Sequence, residues 1–516
     1  MNQRVLDLYK PLREHLKPVA VENAFYVIWA YMNLFQFDIP MPPDIRVADV
    51  VLKNHRFPPG RMVLEWELAL LAREMIINGR DNLSAATRNF QNWDYFAAAI
   101  NGVKDFENNA WPIFGDISNV MKEVRRIAHR QFPWQTRIGT DLFVRYFKIY
   151  NNPRVASVVK NKLGLTVRQW YIAGTAAFGA ILGHPKFNMD PNLIVGDVSK
   201  KEFDIFFNFI STDLNNLRNL IAKTVKYDDE FVYALNPLEY YPLILIGGYY
   251  YCPIINFLAW RITSGIFFDL VGDKNFGHPF GLAFQDYLEE VAKKVLDSSK
   301  TEVFGEQKYK VSKKEEDSID IILAQKDAAL FVEAKAKRMQ MKSKSQLLSD
   351  DAMDKDLEIL ADDIVQVYAT ISDYKNGSYA HFQYDLGRRI YPLLVTLEDW
   401  FLIGPDADNL EKKVEVELKV RNLPVDYLKE MPYAICCARD FEHLVQILNT
   451  HSISEVMSIW FVPEKRGHNF GQFLLTNYRG KYESMDKFFH DDFEKIYPAS
   501  VMKGGVELKN KMPLGK

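Results

Sequence analysis

The chain has 516 residues, too many for one hydrophobic core and enough for about two to four domains. With 48% hydrophobic, 25% charged and 14% aromatic side chains it reads as a packed globular protein, which excludes the disordered and collagen-like classes. Lys and Arg number 64 against 67 Asp and Glu, a formal net charge of -3, so a polyanion would have to be held by a local basic patch and not by the field of the whole surface.

Residues 1–17 alternate charged and apolar side chains without the continuous apolar run of a secretory signal. The three cysteines, Cys252, Cys436 and Cys437, are too few for a disulfide framework. A reducing compartment, the cytoplasm, is the expected location. Residues 1–235 read as a helical region: Val63 to Ile76 and Phe203 to Val225 each carry an apolar helical stripe. Pro40, Pro42, Pro43, Pro58 and Pro59 break its first part into short elements. Residues 236–275 form a hairpin and a connecting helix. Tyr240 to Trp260 is uncharged and about as long as a membrane span, yet Pro242, Pro253 and the Gly247-Gly248 pair between two β-prone runs make it a hairpin, so no membrane is expected. The apolar run Phe257 to Val271 reads as one helix, and Gly272 to Pro279 as a break between domains.

From residue 276 to about 450 the pattern becomes that of an α/β domain. A helix over Phe284–Leu296 precedes strands over Glu302–Val311, Ser318–Ala324 and Ala329–Lys337. A long helix over Asp354–Tyr374 follows, then strands over Tyr391–Thr396 and Tyr433–Cys437 and a helix over Phe441–Leu448. Residues 451–516 read as an extension packed on this domain. Asp320 interrupts the apolar second strand, and Glu333 and Lys335 share one face of the third because strand side chains alternate. If those strands pair as a hairpin, two carboxylates and an ammonium converge. Hard oxygen ligands of this kind favour Mg²⁺, with Mn²⁺ as a substitute, and the backbone carbonyl of Ala334 offers one more oxygen. Lys335 would orient a water or offset charge on a phosphorus. The ten histidines form no zinc pattern, and there is no phosphate-binding Gly-rich loop.

These residues resemble the PD-(D/E)XK nuclease superfamily over about Gly277 to Leu448. The resemblance implies a restriction-endonuclease-like domain that hydrolyses phosphodiester bonds with Mg²⁺, as an endonuclease on DNA, with RNA as the other substrate. Asp320 and Glu333 are then the metal ligands and Lys335 the catalytic lysine. The family's first-helix pattern Gly-x-x-Phe-Glu-x-Tyr is written here Gly281-Leu282-Ala283-Phe284-Gln285-Asp286-Tyr287, so Gln285 stands at the glutamate place. Glu289, one turn later, is the expected substitute ligand. Gln366 resembles the polar residue of the second helix in some branches. Large proteins of this build serve in restriction or antiviral defence, with a protein partner or a second copy of the chain engaging the helical half. The alternative keeps the fold and removes the reaction, leaving a nucleic-acid-binding or assembly module, and Gln285 is its argument. Lysines and arginines from Lys293 to Lys344 around the site, and Lys122 to Arg137 with Phe132 and Trp134 in the helical half, are candidate backbone contacts.

Overall fold

The computed structural model describes residues 3–48, 62–190, 192–226, 228–311, 313–462, 469–478 and 485–497; Pro58 and Pro59 lie outside them. Helix and sheet are mixed, and the N-terminal region is mainly helical. The chain divides into two compact units, Met1–Phe276 with His490–Lys516, and Gly277–Phe489. Two expected segment limits therefore change. Residues 236–275 group with the helical region, because the hairpin supplies the middle of a sheet whose outer strands come from that region. The extension 451–516 does not stay together: from His490 onward it belongs to the first unit, where the Tyr497 hydroxyl meets Thr175 Oγ1 at 2.6 Å.

In the first unit the helix Val21–Phe37 is apolar on nearly every side and buried accordingly. The helix Glu65–Asn78 starts with Glu67 accepting from the Leu64 amide at 3.0 Å, which satisfies one of the first-turn donors. The stretch expected as one helix over Phe203–Val225 is two, Lys200–Ile210 and Leu214–Thr224. Between them Ser211–Asp213 pairs as a short strand, and Asp213 caps the second helix by accepting from the Asn216 amide at 2.9 Å. Lys186–Phe187 (β1), Ser211–Asp213 (β2), Leu243–Ile246 (β3) and Tyr249–Tyr251 (β4) form a sheet in the order β1-β4-β3-β2. β3 and β4 are an antiparallel hairpin whose two loop residues, Gly247 and Gly248, have φ of 56° and 83°. Only glycine takes two successive left-handed positions without strain, which is why this pair marks the turn. Past it the expected single helix is interrupted at Gly265, giving Ile255–Ile262 and Ile266–Leu270. A side chain at 265 would collide with the backbone of Arg261. Among the described residues no helix is long and apolar enough to cross a membrane.

Glu67 is 3% exposed, and burial raises its carboxyl to about 7 despite the Lys104 ammonium at 3.7 Å; Glu107 adds to the rise. A carboxyl raised on folding stabilises the fold when protonated. That contribution is full below the ordinary value of 4.5 and is lost as pH climbs through about 7. Glu67→Gln should remove this slope, worth about 3 kcal/mol at most, and chemical denaturation from about pH 5 to about pH 8 would show it; a wild-type stability flat across that window would count against a buried, protonatable Glu67.

The second unit opens with the helix Gly277–Val295. Glu302–Gly305 (β5), Lys308–Val311 (β6), Lys314–Asp317 (β7), Ile321–Ala324 (β8), Ala328–Lys335 (β9), Arg389–Thr396 (β10) and Ala434–Cys437 (β11) follow in chain order. Five of them make one sheet in the order β11-β10-β9-β8-β5, with β9, β10 and β11 parallel and β8 antiparallel to both β9 and β5. The expected strand Glu302–Val311 is cut at Glu306-Gln307. β5 stays in the sheet, while β6 pairs with β7 as a separate ribbon in which Lys308 meets Glu315 at 3.1 Å. The helix Asp351–Lys375 buries Leu357, Leu360, Ile364, Tyr368 and Ile371 in the same core as Ile322 and Phe331 of the sheet. A further helix, Pro405–Val420, adds Leu410, Val414 and Leu418 to that core.

Candidate active site at the end of a β-hairpin

β8 and β9 pair with Ile321 opposite Val332, so one residue further Asp320 stands across from Glu333. Asp320 itself lies just before β8, in the bend that brings the chain in from β7. Its Oδ2 accepts from the Ala334 amide at 2.7 Å, which pins the carboxylate to the neighbouring strand. Glu333 and Lys335 project from the same face of β9, and Lys335 Nζ meets Glu333 Oε1 at 2.8 Å. The helix Asp351–Lys375 crosses above with Asp363 and Gln366 one turn apart. Lys335 Nζ lies 3.5 Å from Asp363 Oδ1 and 3.3 Å from Gln366 Oε1.

Burial governs the electrostatics. Asp320 is 8% exposed and Glu333 5%. Desolvation, reinforced by the Glu333 charge, pushes the Asp320 carboxyl well above the usual carboxylate range. Glu333 is also raised by burial, with Lys335 working against the rise. Burial opposes the charged form of Lys335, but Glu333 and then Asp363 outweigh it and hold the ammonium well above the ordinary lysine value. Lys335 thus sits between two carboxylates that favour its charged form. These groups open into a cleft of 380 Å³, lined also by Gln285 of the helix Gly277–Val295, Glu306, Asp317 and Lys337.

Of the residues singled out in the sequence, Asp320, Glu333, Lys335, Ala334, Gln366 and Gln285 all line this cleft. Glu289 does not: its carboxylate is paired with Lys293 one turn along the same helix and rests against Gly305, where a side chain would collide with it. An i,i+4 neighbour with a cation of its own is drawn along the helix and away from the site. Asp363 and Glu306 were missed. Asp363 carried a signal, since it lies one turn before Gln366; Glu306 was hidden inside a run read as one strand. Much of the expected basic surface is consumed by acidic neighbours: Lys308 pairs with Glu315, Lys314 with Glu316, and Arg338 and Lys344 with Glu398. In the helical region Arg125 and Arg126 are buried, Arg126 pairs with Glu123, Arg130 with Glu107 and Arg137 with Asp38.

A second cluster, Asp399, Cys437 and Asp440, has ligand atoms within 4.8 Å of one another. Both of its carboxylates already accept hydrogen bonds. Asp399 accepts from the Phe401 amide and from Asn469, and Asp440 accepts from the Cys437 amide and thiol. Burial raises the Cys437 thiol well above its ordinary value, and Cys437 with Asp440 forms the N-terminal cap of the helix Ala438–Ile447. Comparison of the chain with protein-family models, curated proteins and solved structures finds no match.

Proposed function

We propose that the second unit is a divalent-metal-dependent nuclease that hydrolyses phosphodiester bonds, with DNA as its substrate and Mg²⁺ as its ion, Mn²⁺ substituting. The observation that carries this reading is the convergence of Asp320, Glu333 and Lys335 at the open end of the β8–β9 hairpin, two buried carboxylates and a cation in one cleft. The order of helix, antiparallel strands, long helix and parallel strands supports the same reading, because it is the order that the restriction-endonuclease-like resemblance implies. The donor set fits the ion: hard carboxylate oxygens, whose ionised forms burial disfavours. An ion bound there would supply Lewis acidity to the scissile phosphate.

The protein's own part is positional and electrostatic. Asp320 and Glu333 would hold the ion on a rigid hairpin, with Asp320 tied to the Ala334 amide. Lys335, fixed between Glu333, Asp363 and Gln366, would present a permanent positive charge to a phosphoryl oxygen as charge develops there. A defence role, with the helical unit engaging a partner or a second copy, is the biological setting in which such an activity would be held in check.

The test is a cleavage assay on supercoiled plasmid, linear duplex, single-stranded DNA and RNA. Cleavage of a DNA substrate is expected with Mg²⁺, its loss in EDTA and its recovery on adding Mn²⁺. Hydrolysis that persists in EDTA, or that survives both Asp320→Ala and Lys335→Ala, would remove the site from the reaction. A protein that binds DNA without cutting it under any ion would favour the binding-module alternative.

A further inference from the structure

We infer that Lys337 is the residue that grips the substrate, holding the DNA backbone phosphate next to the one that is cleaved. The inference rests on the reading of the cleft as a phosphodiester-cleaving site and deepens it by naming the contact that keeps a polyanion there. It starts from the charge of the cleft. Glu306, Asp317, Asp320, Glu333 and Asp363 line it, and the basic groups among them are Lys335, Lys337 and His278. A run of phosphates entering so acidic a cleft is repelled unless a cation is left over to meet it.

Lys337 is that cation. The Lys335 ammonium is divided among Glu333, Asp363 and Gln366. Lys337, two residues on, has no carboxylate within 4.0 Å and no side-chain hydrogen bond among the described residues. The residues after it are engaged: Arg338 meets Glu398 at 3.2 Å, Met339 is buried, and Gln340 donates to Asp356 from its amide at 2.8 Å and from Nε2 at 3.0 Å. Asp356 also accepts from the Ser343 hydroxyl at 2.7 Å, so its oxygens are spent and it acts on Lys337 only from a distance, as Asp363 does. Lys337 is half-buried, and burial disfavours its charged form more than these two carboxylates support it. A flexible four-carbon stem usually carries its ammonium out to water, whereas this one lines a partly desolvated cleft without a partner of its own, and an anion is what it lacks. β9 fixes the backbone on one side of Lys337, and the contacts of Arg338 and Gln340 fix it on the other, so the ammonium is placed before any substrate arrives. Two residues of chain span at most about 7 Å, which lets Lys335 and Lys337 address successive phosphates of one strand.

The test is binding of a fluorescent DNA duplex to the full-length chain in EDTA, where metal-dependent cleavage stops, read by anisotropy across a salt series. Lys337→Gln should weaken binding by about tenfold, to a similar extent for duplexes of unrelated sequence. It should also lower the slope of log affinity against log salt concentration by about one, the signature of one lost phosphate contact. Lys337→Arg should keep the wild-type slope, because a guanidinium also meets phosphate. Lys326→Gln removes the same charge from the exposed turn at the far end of the β8–β9 hairpin and should change neither affinity nor slope. Lys337→Gln should melt with the wild type, since no contact within the protein is lost; a clear fall would give the residue a structural role instead. If the wild type binds DNA while Lys337→Gln keeps its slope, or if Lys326→Gln loses as much, Lys337 is not the phosphate contact and the reading of the site stands without it. If the wild-type chain binds no DNA, that reading itself fails and the inference falls with it.

Discussion

Asp320→Asn is expected to lower metal-dependent cleavage by about a thousandfold or more while making the metal-free protein more stable. The two effects share one cause. Asp320 is buried beside Glu333, and both desolvation and the Glu333 charge disfavour its ionised form. Asparagine has nearly the same shape and can still accept from the Ala334 amide, but it has no charge to desolvate. Replacing an uncompensated buried charge with a neutral isostere is worth about 1–4 kcal/mol. In a unit of this size each kcal/mol moves the melting temperature by roughly 2–4 °C. Saturating Mn²⁺ should reverse the ranking, because a ligand at a hundred times its Kd stabilises the wild type by about 2.7 kcal/mol and the variant, lacking the ligand, by almost nothing. Melting curves in EDTA and in excess Mn²⁺ read both arms. A variant that melts below the wild type in EDTA, or that gains as much from Mn²⁺, would show that Asp320 is not a strained metal ligand.

Lys335→Met should be destabilising by about 3 kcal/mol, a fall in melting temperature of about 6–12 °C, and inactive. The Lys335 side chain is 24% exposed, and its ammonium meets Glu333 at 2.8 Å, Asp363 at 3.5 Å and the Gln366 side chain at 3.3 Å. Methionine keeps much of the length and removes the charge, which leaves two carboxylates facing each other with no cation between them. Adding Glu333→Gln to this variant should restore most of the lost stability, since the two residues are coupled and the second change removes the charge the first one stranded. Activity should not return, because neither the ligand nor the cation is back. Lys335→Met melting with the wild type would mean that the lysine is a solvated surface group, as would a double variant no more stable than the single one.

How much of this site could be read in the chain follows from the range over which each signal acts. Asp320 stood out because a carboxylate in the apolar run Ile319-Asp320-Ile321-Ile322-Leu323 needs a reason, and Glu333 and Lys335 because strand alternation puts residues two apart on one face. The Gly247-Gly248 turn was legible for the same kind of local reason: φ of 56° and 83° in succession is a demand only glycine meets cheaply. Breaks that depend on capping were overlooked where a hydrophobic stripe ran through them, as at Ser211–Asp213, where three residues leave the helix to pair with β3. β7, written Lys314-Glu315-Glu316-Asp317, has no apolar alternation to announce it and exists by pairing with β6.

Local composition and periodicity were enough to settle the helical character of the first half, the change of pattern near residue 276 and the identity of three cleft residues, because these depend on neighbours within a few positions. The company those residues keep was settled by folding. Glu306 reaches the cleft through a corner that takes the chain out of the sheet after β5, Asp363 through the angle at which a 25-residue helix crosses β9, and Glu289 is withdrawn by a lysine of its own helix. Such contacts join segments tens of residues apart, and a hydrogen bond or an ion pair depends on a few tenths of an ångström that no spacing along the chain encodes.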